Sequence, residues 1–270
     1  MATEAIASVH SCSLHYEVTG DGPPLVLIHG LGGSTVVWSE LMPLVQDDWR
    51  VINVDLRGCG KTRETERAEL SLERWASDLA AVLDAAAARR AVLVGHSLGI
   101  NIALAYALMR PDDVGGLVLV NGEAFIGRLG ERLKGSIDGI RELGFESWVE
   151  ERWSKNPPLS EASIAAHPEL LPRYRAMVEA NDPDDYVRVC EAISAAEDQR
   201  PFLSAVTAPA VVVAGELDDR MRPIVSRELA DLLPNASYVE IPGIGHTAPF
   251  EAPEVVAEAV ATVANVARVN

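Results

Sequence analysis

The chain has 270 residues, 48% of them hydrophobic, and a formal net charge of −17 at pH 7. This length suits one substantial domain, while the acidity disfavours nucleic acid and anionic membrane surfaces, which bind concentrated lysine and arginine. We find no run of about 18 apolar residues that could span a membrane, and no basic segment followed by an apolar core that would indicate a secretory signal.

The N-terminal part of the chain predicts strands that alternate with helices. Continuous apolar runs are typical of strands buried on both faces of a parallel sheet, and helical patterns lie between them. Ser71 is a predicted helix cap, because its side chain can accept a hydrogen bond from the first turn. The predicted strands are residues 6–9, 14–18, 25–28, 50–55, 91–94 and 116–120, and the predicted helices are residues 36–46, 71–89 and 100–109.

The pattern changes between residues 122 and 200, where helical patterns replace the apolar strand runs. Strands 210–214 and 237–241 then alternate with helices 223–233 and 253–268. Alternation of this kind predicts an α/β fold with a mostly parallel, twisted sheet of about eight strands flanked by helices. Residues 1–121 and 201–270 would form the core, and residues 122–200 a helical lid (cap) inserted after the sixth strand.

The strongest candidate for chemistry is Gly95-His96-Ser97-Leu98-Gly99, which lies between a predicted strand and a predicted helix. A strand, a tight Gly-x-Ser-x-Gly turn and a helix form a nucleophile elbow, which exposes the serine hydroxyl. Such a short pattern also arises by chance in ordinary loops, so its value depends on partners elsewhere. With them, Ser97 is the predicted nucleophile.

A serine nucleophile needs a base, usually a histidine held by a carboxylate, in the chain order Ser, acid, His. His246 follows the last predicted strand in a glycine-bracketed loop and is the predicted base. Asp218 follows the strand before it and is the predicted acid, with Glu216 and Asp219 as local competitors. Glu123, at the end of the strand before the lid, is the alternative acid.

Acyl transfer also needs hydrogen-bond donors for the oxyanion. We predict the backbone N–H groups of Leu98, next to the nucleophile, and of Leu31, in the loop His29-Gly30-Leu31-Gly32-Gly33-Ser34. A glycine-rich loop after a strand can also cradle phosphate. The chain lacks the Gly-Lys-Ser/Thr ending and the G-x-G-x-x-G spacing of nucleotide sites here, which favours the oxyanion interpretation.

The substrate pocket is predicted from the oxyanion loop and from large side chains of the lid. These lid residues could equally form the lid's own core, and its arginines could be solvated surface charges rather than ligands for a substrate carboxylate. The candidates are His29, Gly30, Phe125, Leu129, Leu133, Trp148, Trp153 and Met177, with Arg128, Arg132 or Arg152 for a carboxylate.

In these motifs the chain resembles the α/β-hydrolase fold family, in the branch of small esterases and lactonases. The oxyanion loop and Asp55-Leu56-Arg57-Gly58 are most similar to those of 3-oxoadipate enol-lactonases, and the chain also resembles carbon–carbon bond hydrolases and cofactor-free perhydrolases. The motifs span nearly the whole chain in family order: residues 29–34, 55–60, 95–99, 215–218, 245–246 and 250–254.

The resemblance implies a Ser-His-Asp serine hydrolase that cleaves a carboxylic ester or lactone of a small, largely apolar substrate with water. It implies no cofactor and no metal. Carbon–carbon bond cleavage or perhydrolysis on the same residues is an alternative. The non-enzyme alternative is a small-molecule receptor built on this fold.

Three scattered cysteines, Cys12, Cys59 and Cys190, form neither a metal-binding spacing nor an even disulfide framework. A reducing cytoplasm is therefore the expected location. The sequence does not indicate an oligomeric state.

Overall fold

The computed structural model describes residues 2–9 and 11–269, with side chains as far as residue 266. Within these residues the strands form one nine-stranded sheet. They are β1 Thr3–Val9, β2 Cys12–Thr19, β3 Pro24–Ile28, β4 Arg50–Val54, β5 Arg63–Glu64, β6 Ala91–His96, β7 Val114–Val120, β8 Ala210–Gly215 and β9 Ala236–Ile241.

Helices separate the strands along most of the chain. They are α1 Met42–Val45, α2 Leu72–Ala85, α3 Leu98–Met109, α4 Gly130–Leu143, α5 Phe145–Lys155, α6 Glu161–Ala166, α7 Leu170–Glu179, α8 Pro183–Ser194, α9 Pro223–Leu232, α10 Ala248–Glu251 and α11 Pro253–Val269. Within the described part of the chain, none of them is both long and apolar enough to cross a membrane.

The strands follow the order β1-β2-β4-β3-β6-β7-β8-β9, with β5 paired to β2 beside this path. The N-terminal pairs β1–β2 and β2–β4 are antiparallel, and every pair from β4–β3 to β8–β9 is parallel. The predicted α/β fold with a mostly parallel sheet of about eight strands is confirmed. The extra strand β5 has two charged residues, so no apolar pattern indicates it.

The core lies around the central strands. All residues of β6, β7 and β8 are buried, because α3 and α11 both contact β6 and β7, and α9 and α11 contact β8. Parallel strands covered by helices read as continuous apolar runs, which is why these three were visible in the sequence.

Two predicted helices differ in the structure. The helix predicted over residues 36–46 is wrong: a short 3-10 helix at Thr35–Trp38 and the four-residue α1 replace it. Pro43 lacks the N–H that a continuous helix would donate to Ser39. Helix α2 starts after Ser71, whose side chain accepts from Arg74 N as predicted, but it ends at Ala85, before Ala87 adopts a left-handed φ of 48°.

Residues 122–200, which we call the helical segment, contain α4 to α8 and no strand in the described structure. The segment is held to the rest of the molecule near the glycine-rich loop after β3. Asn181 Nδ2 donates to the carbonyl of Gly32 at 2.8 Å, and a Cβ at Gly32 would lie 2.6 Å from the Tyr186 ring. The helical segment therefore packs directly over that loop.

Candidate active site

Ser97 lies in the turn between β6 and α3 with φ 54° and ψ −119°, a strained conformation for a residue with a side chain. Glycine is required at the two flanking positions, Gly95 and Gly99, because other backbone atoms lie where a side chain would begin. A Cβ at Gly95 would lie 2.6 Å from the Gly99 carbonyl oxygen, and a Cβ at Gly99 would overlap the Ile28 carbonyl oxygen. The local backbone therefore has the form of a nucleophile elbow.

The loop after β3 lies against Ser97. A Cβ added to Gly30 would come within 2.9 Å of Ser97 Cβ, so only glycine permits this approach. Leu98 is the first residue of α3, where the helix dipole is positive. Among the described residues, the N–H groups of Leu31 and Leu98 have no protein acceptor. Both are therefore free to bind an oxyanion.

His29 is fully buried and holds this loop in place. Its Nε2 accepts a hydrogen bond from Leu56 N at 3.0 Å, which means that Nδ1 carries the proton and donates to the Gly30 carbonyl at 2.8 Å. Burial lowers the pKa of His29 and keeps the ring neutral. His29 thus orders the loop, and its side chain does not line the cavity described below.

His246 and Asp218 are in direct contact, with His246 Nδ1 2.8 Å from Asp218 Oδ2. The other carboxylate oxygen of Asp218 accepts from the backbone N–H groups of Arg220 and Met221, each at 2.9 Å. Burial by itself raises the pKa of Asp218, but the charge of His246 and these hydrogen bonds outweigh it, and the pKa lies below its usual range. Asp218 is therefore ionised at neutral pH.

Asn121 was not identified from the sequence, yet it connects these parts. It follows β7 with a left-handed φ of 53° and is completely buried. Its Nδ2 donates to Asp218 Oδ2 at 3.0 Å and to the Gly245 carbonyl at 3.1 Å. In the sequence, an asparagine before a glycine at a strand end indicates only a turn.

Glu251 and His96 fix the loop that carries His246. Glu251 accepts hydrogen bonds from the backbone N–H groups of Gly245, Thr247 and Ser160, so it also ties the loop to the helical segment. His96 Nε2 donates to the His246 carbonyl at 2.8 Å. Burial and the charge of His246 lower the pKa of His96 to about 3, which keeps His96 neutral.

Glu123, the alternative acid, is buried but is not among the hydrogen-bond partners of His246 in the described structure. Its Oε2 lies 3.3 Å from Arg128 Nε, in a geometry that makes no hydrogen bond. Burial raises its pKa, and the charge of Arg128 only partly offsets this effect. The carboxylate that contacts His246 is that of Asp218.

A cavity of about 110 Å³ joins the predicted site residues. The helical segment and the core both contribute to its wall. Of the predicted pocket residues, Gly30, Leu129, Leu133, Trp148 and Trp153 line it, whereas His29, Phe125 and Met177 do not. The predicted oxyanion residues Leu31 and Leu98 also line it, as do Ser97 and His246. Phe125 is instead half-buried beneath the Arg200 guanidinium, 5.3 Å from its ring centre.

The motif at residues 55–60 has a structural role. Asp55 is buried and accepts from Thr35 N, Lys61 N and His15 Nδ1 at 2.7 to 2.8 Å. Arg57 makes two hydrogen bonds of 2.7 Å with Asp78. This network shapes the loop whose Leu56 N–H orients His29.

Among the described residues, one group of side chains could hold a metal ion: Glu4, His15 and Glu17, outside the cavity. The Lys61 ammonium already lies 2.5 Å from Glu4 Oε1, and His15 Nδ1 already contacts Asp55. The cavity itself presents the Ser97 hydroxyl and the His246 imidazole, and the Asp218 carboxylate lies behind the imidazole, outside the cavity lining.

Comparison with known proteins identifies relatives across nearly the whole chain. The family described as alpha/beta hydrolase fold matches residues 23–253. The protein named "Putative carbamate hydrolase RutD" of Stutzerimonas stutzeri is 32% identical over 241 residues, covering 86% of this chain and 89% of that protein.

Two solved structures are also close. The malate-bound thermophilic esterase of Thermogutta terrifontis is 26% identical with a TM-score of 0.87, covering 99% of each chain. The enol-lactonase of Burkholderia xenovorans is 25% identical with a TM-score of 0.87, covering 97% of this chain and all of that one.

Proposed function

Because this chain belongs to the α/β-hydrolase fold family, we propose that it is a serine hydrolase that cleaves a small carboxylic ester or lactone through Ser97, His246 and Asp218. The observation that carries this proposal is the 2.8 Å contact between His246 Nδ1 and Asp218, at a cavity that Ser97 also lines. The esterase and enol-lactonase relatives support the same reaction class.

The first step forms an acyl-enzyme. His246 Nδ1–H donates to Asp218, which leaves Nε2 unprotonated and able to take the Ser97 hydroxyl proton. Ser97 Oγ then attacks the substrate carbonyl, and the N–H groups of Leu31 and Leu98 stabilise the oxyanion. When the bond to the leaving group breaks, His246 returns the proton to the departing alkoxide, which leaves as an alcohol.

The second step consumes one water. His246 removes a proton from this water, whose oxygen attacks the acyl carbonyl, and the collapse of the second tetrahedral intermediate gives the carboxylic acid and returns the proton to Ser97 Oγ. Asp218 stabilises the imidazolium in both steps, because its depressed pKa keeps it ionised beside His246. This chemistry needs no metal or organic cofactor.

The helical segment acts as a lid in this proposal, over a core of residues 1–121 and 201–270. Leu129, Trp148 and Trp153 of the segment line the same cavity as Ser97. Side chains that reach the cavity from outside the core would select the substrate, while the core performs the reaction. We therefore place substrate choice in residues 122–200.

A carbamate is the second candidate substrate class, because a curated relative at 32% identity carries that name. The carbonyl carbon of a carbamate is also an electrophile that Ser97 could attack. Its oxygen would then become an oxyanion, which the N–H groups of Leu31 and Leu98 could bind. Attack at this carbonyl would carbamoylate the serine instead of acylating it. A substrate comparison separates the two classes.

We also propose a cytoplasmic location. The three cysteines are buried and free, and burial raises the thiol pKa of Cys12 to about 11 and of Cys59 and Cys190 to about 12. Such thiols are protonated and inert. They are compatible with a reducing compartment.

Hydrolysis assays with matched substrates test the proposal. We expect purified protein to hydrolyse short 4-nitrophenyl esters or lactones, and Ser97→Ala to abolish turnover of whichever substrate is active. Faster turnover of a matched 4-nitrophenyl carbamate than of the ester would favour the carbamate candidate. The absence of turnover on every substrate, with unchanged ligand binding in Ser97→Ala, would favour a receptor.

A further inference from the structure

Arginine side chains are concentrated in the wall of the candidate cavity. Arg132, Arg152 and Arg220 line it, and no described lining residue is aspartate or glutamate. The whole chain has 40 acidic and 23 basic residues, so this local excess of positive charge runs against the composition. The cavity wall is therefore positively charged, although the chain as a whole is acidic.

The charge of Arg220 is balanced by contacts within the protein. Its guanidinium donates to the carbonyls of Asn156 and Pro157 at 2.8 and 3.1 Å, and it lies 3.0 Å from Asp219. These bonds fasten the end of α5 to the loop after β8. Arg220 is thus a structural clamp with its own counter-charge.

Arg132 on α4 and Arg152 on α5 have no such counter-charge. Neither forms a salt bridge with a carboxylate of the described structure. Arg132 makes one long hydrogen bond, 3.4 Å, to the Arg220 carbonyl. Arg152 lies over the Trp148 ring, 5.4 Å from its centre, and an aromatic face holds a guanidinium without neutralising it.

Both groups are half-buried, and their environment disfavours their charge. Burial and the charge of Arg152 lower the pKa of Arg132, and burial and the charge of Arg220 lower the pKa of Arg152. The charge of Asp219 raises both pKa values, but by less than burial and the neighbouring arginine lower them. A bound anion would relieve this unfavourable electrostatics, since guanidinium groups pair with carboxylates through two parallel hydrogen bonds.

Resting on the proposed function, we infer that Arg132 and Arg152 bind a free carboxylate of the substrate, which is therefore a monoester of a dicarboxylic acid or a lactone bearing a carboxylate. The substrate body remains apolar, in keeping with Leu129, Leu133 and Trp153 in the same wall. The helical segment holds the anionic end, and the core holds the reacting carbonyl.

The position of Arg152 depends on tightly packed neighbours. A Cβ at Gly139 would lie 2.7 Å from Trp148 Cδ1, so Trp148 is seated against α4. Trp148 also packs against Tyr186, with ring centres 5.8 Å apart. Arg152 is therefore presented on a rigid aromatic surface, as a preorganised binding group requires.

Two substrates of equal length isolate the carboxylate. We compare kcat/KM for mono-4-nitrophenyl glutarate and for 4-nitrophenyl pentanoate, which replaces the free carboxylate by a methyl group. The wild-type protein should prefer the glutarate ester. Arg132→Gln and Arg152→Gln should each lower its kcat/KM by about 10- to 100-fold, the range for a lost charge-assisted hydrogen bond, and leave the pentanoate ester within about threefold.

Arg141→Gln is the matched control, since Arg141 also lies on α4 but pairs with Glu191 at the surface. Equal loss on both esters in the Arg132 and Arg152 variants, or a wild-type preference for the pentanoate, would overturn the carboxylate site and leave the triad proposal standing. Failure of the proposed function has a different result, namely no turnover of either ester by the wild type.

Calorimetry with glutarate tests the site independently of turnover. We expect binding to wild type and to Ser97→Ala, and loss of binding in Arg152→Gln with an unchanged thermal melt. Glutarate that binds equally to wild type and Arg152→Gln, or to neither, would contradict the carboxylate site.

Discussion

The Nε2 of His96 donates a hydrogen bond to the backbone carbonyl of His246 across 2.8 Å. The residue before the candidate nucleophile thus supports the loop that carries the candidate base. Because burial and the charge of His246 depress the pKa of His96 to about 3, this support does not change across the pH range in which an imidazole base titrates. His96 is a positioning residue in this account.

His96→Ala should lower kcat by about tenfold, because a displaced base loses alignment with Ser97. KM should change less than kcat, since His96 is only one of the residues that line the cavity. His96→Gln keeps an N–H donor and should recover part of kcat. Steady-state kinetics of the two variants test this, and equal activity of His96→Ala and wild type would exclude a positioning role.

Asp218→Asn should lower kcat by roughly 10⁴-fold, because the amide cannot hold the required histidine tautomer or balance the imidazolium. Glu123→Gln is the control, and its kcat should stay within about threefold of wild type. The reverse outcome, with Glu123→Gln inactive and Asp218→Asn active, would move the acid to the end of β7.

Glu123→Gln should also change the pH dependence of stability. Burial raises the pKa of Glu123 in the folded protein, so the ionised form is disfavoured there and the wild type loses stability as pH rises above the unfolded value of about 4.3. The neutral amide removes this loss. The unfolding midpoint of Glu123→Gln relative to wild type should therefore increase between pH 4 and pH 7, and a decreasing difference would contradict the burial argument.

The contribution of Asp218 to stability depends on pH in the opposite direction. Its pKa is lowered in the folded protein, so it contributes stability above the unfolded value of about 3.9 that is lost as pH falls through the folded value. Wild type should therefore lose more stability than Asp218→Asn on acidification below about pH 5. Urea unfolding at a series of pH values measures this, and parallel curves would show that Asp218 has an ordinary pKa.

Gly30→Ala should reduce kcat by about 100-fold, the typical effect of damage to an oxyanion site. The added Cβ would lie 2.9 Å from Ser97 Cβ and push the loop that carries Leu31 away from the site. Gly135→Ala is the control: its Cβ would meet nothing within 4 Å on helix α4. That variant should keep full activity and melt slightly higher, since alanine favours helix.

The fold could be predicted because its signals are local. Buried parallel strands such as β6 and β8 leave continuous apolar runs, and the Gly95–Gly99 turn leaves glycines where side chains would collide. The order of Ser97, Asp218 and His246 likewise indicated the candidate site. In the structure, Asp218 and His246 are in contact.

The remaining features depend on contacts between distant parts of the chain. Asn121 meets Asp218, which is 97 residues away, and Glu251 meets Ser160, which is 91 residues away, and no sequence spacing reveals such pairs. The orientation of side chains in the helical segment likewise depends on contacts that the sequence pattern does not reveal. Trp148 on α5 lines the cavity, whereas Phe125, which lies outside the helices, does not. Packing against distant residues, and not local periodicity, decides which of these side chains face inward.

The most direct test of the central claim is intact-mass spectrometry after reaction with diethyl 4-nitrophenyl phosphate, which phosphorylates activated serine nucleophiles. We predict one diethylphosphoryl adduct on the wild-type protein, mapped to Ser97 by peptide analysis, and none on Ser97→Ala. Asp218→Asn should react far more slowly. A wild-type protein that acquires no adduct, or a Ser97→Ala variant that acquires it as fast as wild type, would contradict the assignment of Ser97 as nucleophile.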